Sequence, residues 1–79
     1  WGQYDTKRLT DYTKSLDPSR LVISASGWTD RKTGDIHDIH HYPAPKSPEA
    51  EQARAVVNGE YGGLGLPVEG HTWQGKDNW

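Results

Sequence analysis

The chain has 79 residues, a formal net charge of −2 and no cysteine. This excludes a disulfide framework and a thiolate zinc site, and the mild, interspersed charge lacks the basic footprint of a nucleic-acid binder. Only 32% of residues are hydrophobic, with neither Met nor Phe, a lean supply for a chain this short, which can bury only roughly 60% of its surface. Four Trp and four Tyr still set it apart from a disordered chain.

In chain order, Asp5 is placed to cap a helix, and Leu9, Tyr12, Thr13 and Leu16 follow at helical spacing. Pro18 ends the run, so a helix is predicted from Thr6 to Leu16. Its charged residues Arg8, Asp11 and Lys14 read as a solvated face. Leu21 to Ser26 is a short apolar, β-branched run closed by Gly27, which predicts a strand buried on both faces. A polar loop from Thr29 to Asp35 leads to a second strand, Ile36–Tyr42, closed by Pro43 and Pro45.

Ser47-Pro48-Glu49 has the chemistry of a helix start and predicts a helix to Ala55. Val56 to Tyr61 predicts a third strand, ended by Gly62-Gly63, and the remainder to Trp79 is Gly-rich without a period. Strands alternating with helices imply parallel pairing with crossovers. Two short helices cannot cover both faces of such a sheet, so the order predicts a slice of a larger α/β structure. The start at Trp1 rather than Met is expected of a processed or excised piece. No apolar run is long enough to span a bilayer and no leader pattern is present, so no membrane partner is expected.

Trp28, Tyr42 and Glu60 each fall at the C-terminal end of a predicted strand, the catalytic edge of α/β barrels. Glu60 lies between Gly59 and Tyr61-Gly62-Gly63, where glycines allow close approach of a ligand to the backbone. A carboxylate there suits nucleophilic attack on an anomeric carbon; the alternative is an ordinary solvent-facing glutamate. Alternation along a strand puts Asp38, His40 and Tyr42 on one face and His37, Ile39 and His41 on the other. A phenol on the first face can stabilise an ionised carboxylate, or simply cap the core. The histidine-rich stretch offers zinc ligand types, but its nearest histidines point to opposite faces and no His-Glu-x-x-His pattern exists, so no metal is expected. Trp1, Trp28, Trp73 and Trp79 are candidate sugar platforms, with loop anchoring as the alternative.

The string Asn58-Gly59-Glu60-Tyr61-Gly62-Gly63 resembles the Glu-Tyr-Gly motif of glycoside hydrolase family 2, the β-galactosidase/β-glucuronidase group. Asp17-Pro18-Ser19-Arg20 before Leu21-Val22-Ile23 is similar to that family's link into barrel strand five, and His40-His41-Tyr42 to its strand six. Trp1-Gly2-Gln3 is similar to the segment after its Asn-Glu pair.

The resemblance implies a partial (β/α)8 TIM barrel, strands five to seven with intervening helices, and a retaining mechanism without cofactor. It implies Glu60 as nucleophile, Tyr42 as its hydrogen-bonding partner and Trp28 as a substrate contact; His40, His41 and Trp73 are further candidate substrate contacts. The expected partners are a β-glycoside or glycan and the remainder of the barrel, with self-association or non-catalytic carbohydrate binding as the alternatives. The acid/base glutamate would precede Trp1, and Glu49, Glu51 and Glu69 are not natural substitutes. The isolated chain is therefore expected to lack the roughly 10²–10⁴-fold contribution of general acid catalysis and to be inactive.

Overall fold

The computed structural model describes residues 2–72; Trp1, Trp73 and Trp79, all named above as candidate sugar contacts, lie outside them. Helix α1 spans Thr6–Leu16, the bounds read from its spacing. Asp5 stands at its N-cap, but in the left-handed region (φ 51°) and without a side-chain capping bond. Its carbonyl accepts the first helical bond from Leu9 N–H, and its carboxylate takes Arg8 instead. Lys14 is not part of a merely solvated face. Its ammonium donates to the Arg20 carbonyl at 2.6 Å and to Asp35 at 3.0 Å, and Asp35 also accepts the Val22 N–H. The helix is thereby tied to the chain that follows it.

Strand β1 (Ile36–His40) and strand β2 (Ala55–Glu60) pair in parallel. The parallel order and both strand positions agree with the alternating pattern of the sequence. Ile36 lies opposite Ala55, and the register runs regularly to Ile39 and Asn58. It then slips by one residue, so that His40 pairs with Glu60 and Gly59 is passed over.

Two predicted elements are absent among the described residues. Residues 21–26 form no strand, only a single parallel bridge from Ile23 to Ile36. That run is not buried on both faces, since Leu21 is 72% exposed. Apolar β-branched residues satisfy strand propensity only where a second face is there to cover them. Residues 47–54 form no helix. Ser47 spends its hydroxyl on the Pro48 carbonyl rather than capping, and Glu51 and Arg54 are drawn to Asp30 and His37.

These findings correct the expected fold class. Among the described residues, one helix and a two-stranded parallel sheet are too few and too sparse for a partial (β/α)8 barrel. Among the described residues no hydrophobic side chain is buried; the buried positions are Thr10, Thr33 and Asp38. The sheet is held by its ladder and by polar cross-links, not by an apolar core. None of the helices among the described residues is long and apolar enough to cross a membrane.

Candidate active site

The register slip at Gly59 places the site. A one-residue irregularity bends a strand and re-aims the side chains beyond it. Gly59 N–H turns off the ladder and donates to Asp38 Oδ1 at 2.6 Å. Asn58 braces the bend: its amide nitrogen donates to the carbonyls of Ile39 and Glu60, both at 2.9 Å, and its oxygen accepts the Lys46 N–H. Pairing resumes when His41 N–H donates to the Glu60 carbonyl at 3.0 Å. The outcome is that the Glu60 side chain, 57% exposed, stands beside those of His40 and Tyr42.

Tyr42 donates its hydroxyl to Glu60 Oε1. Donation to a carboxylate stabilises the protonated phenol, and this, with partial desolvation, pushes the Tyr42 hydroxyl above the usual phenol range. On the other oxygen, His40 Nδ1 lies 3.5 Å from Glu60 Oε2. The far side of that imidazole faces Asp38, with Nε2 3.4 Å from Oδ2. Asp38 is 6% exposed. It accepts the Ser26 hydroxyl as well as the Gly59 N–H, so its buried charge is well supplied with donors.

Two glycines make the room. A Cβ on Gly59 would lie 2.7 Å from Asp38 Cγ, and one on Gly27 would lie 2.6 Å from His40 Cγ. Gly27 also sits at φ 79°, where a side chain is strained. Gly59→Ala is therefore expected to displace the Asp38 carboxylate and to destabilise the fold by about 1–3 kcal/mol. A denaturant midpoint indistinguishable from that of the parent would contradict this.

Trp28 completes the cluster. Its ring stands edge-on to His40 at 5.7 Å and tilted on Tyr42 at 5.8 Å, while 70% of the residue remains exposed. The structure thus brings Trp28, His40, Tyr42 and Glu60 together. His41 is not among them: its Nδ1–H donates to the Ala44 carbonyl at 2.7 Å. Trp73 lies outside the described residues.

Sequence reasoning missed the roles of Asp38, Ser26 and the two glycines. The signal for Asp38 was present, since strand alternation already put it on the Glu60-facing side. Nothing in the sequence showed that it would be buried.

A second cluster lies elsewhere. Asp30, His37 and Glu51 bring ligand-type atoms within 4.8 Å of one another, in a cleft of about 550 Å³. Arg54 occupies it: the guanidinium donates to both Asp30 oxygens at 2.7 and 2.9 Å and to both Glu51 oxygens at 2.8 and 2.9 Å. The cation these carboxylates hold is thus a side chain of the same chain. A groove of about 490 Å³ lies between α1 and residues 22–26; of the residues around Glu60 it shares Ser26 alone.

No family model matches the chain, and no curated protein matches it.

Proposed function

We propose that Glu60 is the nucleophile of a retaining O-glycosyl hydrolase acting on β-glycosides, of the family 2 kind that the Asn58–Gly63 string resembles. The observation that carries this reading is the Tyr42 hydroxyl on Glu60 Oε1, beside an exposed indole. The phenol holds one oxygen of the carboxylate that would attack and leaves the other to His40. Each oxygen has two lone-pair sites, so one anchor on each still leaves a lone pair free. The Trp28 face offers an apolar wall to the C–H face of a pyranose.

The chemistry follows from a retaining pair. A Glu60 oxygen bonds to the anomeric carbon as the bond to the aglycone oxygen breaks, giving a glycosyl ester. Water then displaces Glu60 and the configuration is retained. The acid that protonates the aglycone comes from a second carboxylate about 5–5.5 Å away. Asp38 does not serve, being turned inward onto Ser26 and Gly59, and Glu51 is committed to Arg54 and His37.

A leaving group that departs unaided removes the need for that acid. The full-length protein, treated with a 2-deoxy-2-fluoro-β-glycosyl fluoride, is expected to lose activity with time. It should gain one fluoroglycosyl group on the peptide containing Glu60. A label on another carboxylate, or a hydrolysis product of inverted configuration, would sink the assignment.

Self-association is a second reading, favoured by the absence of any buried hydrophobic side chain among the described residues and by the open edges of a two-stranded parallel sheet. Sedimentation that is independent of concentration would exclude it.

A further inference from the structure

We infer that Asp38 and His40 form a positioning pair that fixes the Glu60 carboxylate, an inference that rests on Glu60 being the nucleophile. Glu60 sits on an exposed strand end, where its torsions would otherwise be free, and ordering such a side chain costs entropy. Productive attack needs the reacting oxygen held closely in place. Tyr42 reaches Oε1 from one side. His40 reaches Oε2 from the other at 3.5 Å, longer than an ordinary hydrogen bond.

The ring of His40 is itself fixed. Its Nε2 faces Asp38 Oδ2 and the Ser26 hydroxyl, both at 3.4 Å. Trp28 lies against it, and Gly27 backs it so closely that no side chain fits between. Asp38 in turn is immobilised by the Ser26 hydroxyl and the Gly59 N–H. The groups facing His40 are thus Asp38, Glu60, Ser26 and Trp28. The order is rigid backbone, buried carboxylate, imidazole, exposed carboxylate. The same aspartate that holds the bend at Gly59 thus also backs the imidazole that reaches Glu60. Asp38 is buried and turned onto Ser26 and Gly59, so it acts through His40, and His40 through Glu60.

The test uses the full-length protein and two readouts. The first is ionisation of Tyr42, taken as the ultraviolet titration of the parent minus that of Tyr42→Phe. The second is the rate of labelling by the fluoroglycosyl fluoride, resolved into a binding and a bond-forming step. In His40→Leu, Glu60 loses one anchor. The Tyr42 midpoint is expected to fall back toward the ordinary phenol value near 10. Bond formation is expected to slow by roughly ten- to a hundredfold with binding unchanged.

His40→Asn, whose amide N–H can stand near Nδ1, is expected to recover most of both. Should His40→Leu fail to fold, Asp38→Asn, which keeps the shape and one acceptor oxygen, is expected to move both readouts in the same direction. Unchanged readouts in a folded His40→Leu overturn the inference. A parent whose Tyr42 titrates as an ordinary phenol overturns it too, because the contact it needs would be missing. If the Tyr42 midpoint moves in His40→Leu while no parent residue is labelled, the pair positions the carboxylate and the nucleophile assignment is what fails.

Discussion

Glu60→Gln is expected to lower turnover of an aryl glycoside by a factor on the order of 10⁴–10⁶, the scale seen when a covalent nucleophile is removed. The amide fills nearly the same space and can still face Tyr42 and His40, so the fold should be unchanged. What is lost is the electron pair that forms the glycosyl ester. Glu60→Ala should behave alike on its own but differ when azide is added. The vacated space lets azide attack the anomeric carbon from the side Glu60 would use. The aryloxide leaves, and the product is a glycosyl azide of inverted configuration. Rescue with that stereochemistry identifies a nucleophile, because a merely structural glutamate has no reason to be replaced by a free anion. Full activity in Glu60→Gln would end the proposal. Inactivity in every form, with sugar still quenching tryptophan fluorescence, would favour a carbohydrate-binding module instead.

How much of this was legible differs by element. Helix α1 was fully so, because Leu9, Tyr12, Thr13 and Leu16 announce a helical period and Pro18 a stop. The two paired strands were legible from β-branched runs bounded by Gly and Pro. Residues 21–26 misled because an apolar run reports propensity, and a strand needs partners that sequence does not display. Residues 47–54 misled because Ser-Pro-Glu is a local cap signal, while the decisive contacts run from Glu51 and Arg54 to Asp30 and His37, more than a dozen residues away. At the site, alternation correctly placed Asp38, His40 and Tyr42 on one face. The slip at Gly59 that turns Glu60 toward them rests on the Asp38 and Asn58 side chains, contacts that the sequence does not display.

Arg54→Met is expected to lower the thermal unfolding midpoint by roughly 5–15 °C. The Arg54 side chain is 7% exposed, and it forks onto two carboxylates at once. Through it the loop carrying Asp30 is joined to the residue before β2, with His37 of β1 bonded to Glu51 at 2.6 Å. Hydrogen bonds from Arg54 hold the Asp30 carboxyl well below the usual carboxylate range, and they lower Glu51 in the same way, with His37 adding to both. Methionine preserves the stem and leaves two carboxylates facing one another. Arg54→Lys keeps the charge but not the planar fork, so it should fall between the two.

The sign of the pH dependence follows. A carboxylate whose value is lowered on folding contributes its full stabilisation above its unfolded value, near 3.9 for Asp. That contribution is lost as pH falls through the lower folded value. The parent should therefore lose stability steeply in acid, while Arg54→Met, already without the pairing, should show a flatter profile. Circular dichroism melts of both proteins across the acid range decide the matter. A midpoint within about 2 °C of the parent at neutral pH, or an identical slope in acid, would show that the fork is ornamental and that the loops are held by something else.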